Sequence, residues 1–527
     1  MQPQESTSVL IVGGGVVGLS AALLLQYHGV DSVLVERRSG PSVLPRSRGL
    51  HARTSEIFRQ LGIEEQVQAA SALALKAGEF GGYRMGPTML TSVAQPIPAK
   101  SEYFETPSPS SFCFLPQVEL EPLLIDIARQ RGADLRFDTE LTTLHSHADG
   151  IEAVIAQAGS GQQRVIGADY VIAADGANSG IRTSLGITGW ELPPTHHYIN
   201  VFFHADLADR VAGRTFSQCQ IDNDTVHALM LSKNNTDEWS LHIEYDPNEE
   251  TLADYPPSRC ADLVREAIGA GDIGVEVLVR AVWDTGVHVA NTYRHDRVLL
   301  AGDAAHRHSP SGGFGANTGI GDVHNLAWKL AAVLTGRAKP ALLDTYEPER
   351  RPQAVTGARQ ARLRTDPQTR FQKAGAPGAP AELIDIEAVM TRYRYLSPAV
   401  ADPTSTTGHV AELRGQRGTR VPHLWLTRGV QRISTLDLCG PGFALITDVD
   451  HAAWADAARR AESETGCVVA VHGIGHDLVD IDGAWRTTTG LHGGGALLVR
   501  PDHHVAARSD DDLSPATLAA LLASTLV

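Results

Sequence analysis

The sequence predicts an α/β protein in which a nucleotide-binding parallel sheet is interrupted by a second sheet and followed by a separate C-terminal unit. Three observations carry this reading. A strand, glycine turn, helix, strand and acid succeed one another at the front. A second glycine-rich strand-to-helix turn lies near residue 300. Alternating strand patterns occupy the interval between them. The chain has 527 residues, enough for two or three domains. With 43% hydrophobic and 20% charged residues it can bury a core, which excludes wholesale disorder. Its 45 Lys and Arg stand against 61 Asp and Glu, a formal net charge of −16. That balance argues against nucleic acid or an anionic membrane as the main partner. The N-terminus has no basic segment followed by an apolar run, and no stretch reaches the roughly 18 apolar residues of a membrane span. The five cysteines, Cys113, Cys219, Cys260, Cys439 and Cys467, form no CxxC pair. Zinc-ribbon and dithiol redox motifs are thereby absent, and a reducing, cytoplasmic setting is expected.

The front unit comes first. Val9-Leu10-Ile11-Val12 is a short apolar run ended by glycine and reads as a buried parallel strand. Gly13-Gly14-Gly15-Val16-Val17-Gly18 is a GxGxxG. A helix follows over Leu19–Tyr27, with Gly29 as its stop. Ser32-Val33-Leu34-Val35 is the next strand, ending at Glu36. Glycines in such a turn let backbone N–H groups approach a diphosphate at a helix N-terminus, and an acid in the place of Glu36 accepts from ribose hydroxyls. The order specifies a Rossmann-like adenine-dinucleotide site, but NAD and FAD stay open at this point.

The second cluster chooses between them. Arg297–Ala301 is a strand running into Gly302-Asp303. Pro310-Ser311-Gly312-Gly313-Phe314-Gly315-Ala316-Asn317 then opens a helix with Ile320, Val323, Leu326, Ala327 and Leu330 on one face. A second helix N-terminus beside a dinucleotide stabilises negative charge elsewhere on the ligand, and on a flavin that charge gathers at N1 and C2=O of the reduced ring. A plain NAD dehydrogenase has no use for this cluster.

Together with Asp175-Gly176-Ala177-Asn178-Ser179 and Arg182, these motifs resemble the single-component aromatic flavoprotein monooxygenases, the family of para-hydroxybenzoate hydroxylase, phenol hydroxylase and the polyketide hydroxylases. Gly418–His423 and Leu498–Asp502 resemble its actinomycete tailoring branch and the rebeccamycin-pathway flavoenzyme. The resemblance implies an FAD-binding domain over 1–75, 111–190 and 284–365, and a substrate domain over 76–110 and 191–283. It implies roles for individual residues too. Gly13, Gly15, Val16, Val17, Gly18 and Glu36 would hold the ADP half of FAD, with Arg37 beside the acid. Arg46 and Arg53 would lie near the flavin and its phosphates, and Gln117 against the ribityl chain. Asp175 would serve FAD and the nicotinamide cofactor. Gly302 and Asp303 would meet the ribityl and phosphate region. Pro310, Gly313, Gly315, Ala316 and Asn317 would present backbone to the ring. Blander readings stand beside these: ion pairing for the arginines, helix capping for Gln117, turn-holding for Asp175 and a structural role for His306.

In 191–283, Ser240-Leu241-His242-Ile243-Glu244-Tyr245 sets Leu241, Ile243 and Tyr245 on one face, a half-buried sheet pattern. Residues 366–404 read as a linker with a helix near 381–393. Residues 405–527 read as strands near 434–438, 443–447 and 468–472, a helix near 452–464, a hairpin near 496–508 and a final helix capped by Ser514. This order resembles a thioredoxin-like domain lacking its CxxC pair. The resemblance further implies an NAD(P)H- and O2-consuming hydroxylation of an aromatic substrate through a flavin C4a-hydroperoxide, with NADPH or NADH docking transiently. Tyr293 and His51 are candidates for a substrate-deprotonating base. Baeyer–Villiger or decarboxylative oxidation, and a flavin- or metabolite-holding protein without turnover, are the alternatives. A homo-oligomer is left open.

Overall fold

The computed structural model describes residues 3–43, 46–75, 81–96, 107–400, 408–448 and 451–526. Residues 76–80 and 97–106, read from the sequence as loop at the pocket mouth, lie outside that set, as do Leu44 and Pro45.

A mostly parallel sheet forms the base. Its strands run in the order Arg294–His295, Val298–Leu300, Gln163–Ala173, Glu5–Val12, Ser32–Val35 and Asp134–Arg136. Val9 pairs with Ser32 and Tyr170, so the first strand is central. Leu10, Ile11 and Leu34 have no exposure, as expected for a strand covered on both faces. The helices Val16–Tyr27 and Phe314–Leu334 pack against each other on it.

The second sheet has seven strands in the order Glu276–Asp284, His197–His204, Glu238–Glu244, His227–Ser232, Phe216–Asp222, Gly82–Gly86 and Val93–Gln95. One face packs on the helix Pro257–Ile268 through Val201, Leu241, Ile243 and Val264. Alternation then sends every second residue to the opposite face, above the flavin-type loop. A small sheet of Gly189–Leu192, Val287–Ala290 and His306–Arg307 joins the two.

The C-terminal unit holds a four-stranded sheet, ordered Val469–Ile474, Phe443–Asp448, Ala496–Val499 and Val505–Arg508, with helices His451–Thr465 and Leu518–Thr525. Three local expectations are corrected. The segment 434–438 is not a strand. Ser434 accepts from the Leu436 N–H and the Asp437 carboxylate accepts from the Ser434 N–H, winding Thr435–Leu438 into a 3-10 turn. The strand there is Gln431–Ser434, paired with Trp425–Arg428. Ser514 closes a turn with Thr517 rather than capping the last helix, which starts at Leu518. The linker helix is short, Ile386–Thr391.

Candidate active site

The two glycine turns, about 290 residues apart in sequence, meet in space. Gly13 has φ +112°, and a Cβ there would overlap the Ala174 carbonyl; one on Gly18 would overlap the Gly13 carbonyl. These positions admit only glycine. Gly15 caps the helix Val16–Tyr27 without a side-chain bond, and the nearest group to a Cβ built on it is Glu121 Oε1 at 3.6 Å. An open cradle of backbone N–H groups is therefore presented at a helix N-terminus. Val16 is buried beneath it. Val17 packs on the second turn, where a Cβ on Gly302 would lie 2.8 Å from Val17 Cγ2 and one on Gly319 would lie 2.6 Å from the same atom.

Glu36 Oε2 accepts from the Gly14 N–H at 2.6 Å, and its Oε1 pairs with Arg38 at 2.9 Å. Burial works against its ionisation, but Arg38 and the Gly14 N–H outweigh it and hold the carboxyl below its ordinary range. The arginine turned to Glu36 is Arg38; Arg37 is exposed.

At the second turn Gly302 has φ +59° and its N–H donates to Asp322 Oδ2 at 3.1 Å. Asp322 also binds His306 Nε2 at 2.7 Å and Arg350 Nε at 2.9 Å, all three side chains essentially without exposure. His306 thus braces the turn. Asp303 keeps solvent-accessible surface although protein surrounds it, the situation of a group on a cleft floor. Burial raises its carboxyl pKa, while His306, Arg46 and Arg307 pull the other way. Arg46 is thus within electrostatic reach of Asp303. Gly312 and Gly313 both have positive φ and lead into the helix Phe314–Leu334, whose N-terminus has no side-chain cap. Asp303 Oδ1 lies 3.9 Å from where a Gly315 Cβ would stand. Pro310 is exposed at the loop's start, and Ala316 is half-buried in the helix's first turn.

Asn317 ties this loop to residues 49–54. Its Oδ1 accepts from the His51 N–H at 2.8 Å and Thr54 Oγ1 at 2.6 Å, and its Nδ2 donates to the Gly49 and Gly313 carbonyls. Asp175 abuts the first turn: its N is 3.1 Å from a Cβ built on Gly13. Its Oδ2 accepts from the Ile181 N–H, while its Oδ1 is buried without a hydrogen-bond partner among the described residues. Arg182 crosses from the same motif to the Ala304 carbonyl at 2.8 Å. Gln117 starts a helix, with its N–H on the Ser47 carbonyl and its amide on Glu121 Oε1 at 2.6 Å.

Three expected residues are placed elsewhere or in a different chemical state. Arg53 is committed to Glu56 at 3.0 Å, His503 Nδ1 at 2.8 Å and the Asp502 carbonyl, which ties it to the C-terminal unit. Tyr293 has no exposure; burial first and Asp322 second hold its phenol well above the ordinary value. It is a core side chain stacked on His306, with no route to a substrate proton. His51 Nε2 bonds the Gly312 carbonyl at 2.9 Å, its ring stacks on Phe314, and burial lowers its pKa to about 4. It braces the loop and is a poor base at neutral pH.

The sequence reading did not single out the polar face of the second sheet. Asn200, His242 and Trp283 come from three strands, and Arg48, bonded to the same sheet at Ser217, acts on His242 electrostatically from the loop side. The available signal was parity: once Leu241 and Ile243 are inward, His242 must face the other way.

The open cradle at Gly15, the uncapped second helix, the unpartnered Asp175 Oδ1 and the raised Asp303 fit a dinucleotide whose diphosphate meets the first turn and whose ring meets the second. The comparisons agree. Residues 6–361 match the FAD binding domain family, and residues 414–526 match the aromatic-ring hydroxylase C-terminal family. The tetracenomycin B2 monooxygenase-dioxygenase of Streptomyces olivaceus is 39% identical, covering 95% of each chain. A ternary complex of aklavinone-11 hydroxylase with FAD and aklavinone superposes with TM-score 0.89 at 32% identity over 100% of both chains. The rebeccamycin biosynthetic enzyme RebC with reduced flavin gives 0.79 at 28% identity over 99% of both. The chain belongs to the FAD-binding aromatic-ring hydroxylases and is an FAD-dependent aromatic monooxygenase.

Proposed function

We propose that the chain hydroxylates a phenolic, fused-ring secondary metabolite, using O2 and NADPH or NADH. The single observation that carries this is the contact of the two glycine turns beneath a sheet face that bears both aromatic and polar side chains. FAD, when bound, takes electrons from the nicotinamide and delivers one oxygen atom of O2 to the substrate.

The residues of the chain supply position, field and exclusion of water. The Gly13–Gly18 turn would hold the diphosphate on helix N–H groups, and Glu36 would accept from the ribose. Asp303 would meet the polar chain between ring and phosphates. The uncapped N–H groups at Phe314–Asn317 would stabilise negative charge on the ring's polar edge. The second sheet roofs the chamber and keeps bulk water from the reacting atoms. No second GxGxxG is present, which favours transient docking of the nicotinamide cofactor. A cytosolic setting goes with this reading and is supported by five buried cysteines that form no disulfide.

Purified protein supplied with an aromatic substrate and heavy-isotope O2 tests the proposal. One labelled oxygen on a ring carbon, with NAD(P)H consumed in step, is expected. A labelled ester, or loss of CO2 without ring oxygen, would replace hydroxylation by another oxidation. No stimulation of NAD(P)H oxidation by any phenolic polycycle would remove it.

A further inference from the structure

Resting on the hydroxylase reading, we infer that Asn200 and His242 together hold two neighbouring oxygens of the substrate, a hydroxyl and a carbonyl, and so select aromatics that carry both. The two residues are directly opposed on adjacent antiparallel strands. Their strand neighbours Ile199, Val201, Leu241 and Ile243 lie in the core under the helix Pro257–Ile268. Asn200 and His242 therefore project from the other face.

That face looks onto the flavin loop. Arg48 Nη1 donates to the carbonyls of Ser217 and Ser232, at 3.0 and 2.9 Å, on two strands of the same sheet. The next residue, Gly49, accepts from Asn317 Nδ2 at 3.0 Å at the start of the flavin-facing helix. Arg48 is also felt electrostatically by His242, whose pKa falls to about 3, through burial first and this arginine second.

The ring of His242 is oriented. Trp283 Nε1–H donates to His242 Nδ1 at 2.8 Å, and Trp283 is itself stacked on Tyr198 at 4.5 Å. An indole N–H only donates, so Nδ1 is the acceptor and the ring proton sits on Nε2. Nε2–H is then a fixed donor with no partner among the described residues. Asn200 is 8% exposed, and its amide makes no hydrogen bond among the described residues; its Oδ1 is buried and unpartnered. Buried amides are normally paired, and an unpaired one at a chamber wall points to a ligand.

Directly opposed residues have Cβ atoms about 4.5–5.5 Å apart. Nε2–H can only donate, and a carbonyl oxygen, which can only accept, is its complement. The Asn200 amide can accept from a hydroxyl beside it. A fused ring with a hydroxyl next to a carbonyl satisfies both; an unsubstituted quinone satisfies one.

The test uses FAD-loaded full-length protein and two probes, anthraquinone and a hydroxyanthraquinone with its hydroxyl beside the carbonyl, titrated by perturbation of the flavin spectrum. Wild type is expected to bind the hydroxy probe about tenfold more tightly. Asn200→Ala and His242→Phe should each bring the two probes to within about twofold of each other, with FAD content unchanged. Trp283→Phe, which keeps the ring but not the N–H, should weaken the preference in part. Equal binding of both probes by wild type, or full preference in both FAD-loaded variants, would overturn the assignment. Binding contrast without NAD(P)H-driven oxygenation would strike the parent reading instead.

Discussion

Two polar clusters of this molecule are built on opposite terms. At the seam with the C-terminal unit, Glu349 receives Arg500 at 2.7 and 2.8 Å, Lys329 at 2.8 Å, Asn325 at 2.6 Å and Ser397 at 2.6 Å. Arg500 also grips Asp502, and the side chains of Glu349, Lys329, Arg500 and Asp502 have no exposure. Each charge there is answered by protein. In the chamber, Asp175 Oδ1, the Asn200 amide and His242 Nε2 have no partner among the described residues. Buried charges answered one by one describe a joint; polar atoms left open along a chamber wall are the terms of a site.

The sharpest way to break the comparison is at the seam. Glu349→Ala strands the buried Lys329 cation and leaves Arg500 with Asp502 alone, and should cost about 3–5 kcal/mol of stability, read by chemical denaturation. Burial disfavours the Glu349 carboxylate, but Arg500 and Lys329 hold it well below its ordinary range. A chamber substitution such as Asn200→Ala should cost far less stability and act on ligand binding.

Acid is the next lever. Burial depresses His51 and His504 to about 4 and His242 to about 3, from an ordinary 6.5. In the unfolded chain these rings take up protons near 6.5, whereas the folded chain refuses them until lower pH. Their contribution is thus complete above about 6.5 and is lost as pH falls toward 4. Denaturation midpoints across that range should fall steadily; a flat profile would show these rings to be freely protonated.

Legibility followed from how local each constraint is. Gly13 and Gly18 were readable because close backbone contacts forbid any other residue, and Gly302 because a positive φ and the Val17 side chain do; the motif records that over a few positions. Glu36 was readable at a strand end, whereas its ion pair with Arg38 was not. Arg53 sits in a motif yet answers to Asp502 and His503, some 450 residues on, which no local pattern encodes. Asn200, His242 and Trp283 were hidden for the same reason, since register across three strands assembles them. In the C-terminal unit the parallel and hairpin strands were visible as apolar runs, while 434–438 was a capped turn disguised by its leucines.

A smaller effect sharpens the cofactor side. Glu36→Ala removes a charge-assisted acceptor and should weaken FAD binding about 10- to 100-fold, measured by titrating flavin-stripped protein. The smallest expected change separates a core phenol from a catalytic one. Tyr293 Oη has no hydrogen-bond partner among the described residues, so Tyr293→Phe should alter FAD content and turnover by less than about twofold. A large loss of turnover with normal FAD would restore it as a base.

The most direct measurement is the flavin content of the purified chain. One FAD per chain, retained through purification or taken up to saturation on titration, and lost on substituting Gly13 by alanine, is the predicted result. A colourless protein that takes up no FAD, with its two glycine turns intact, would contradict the account.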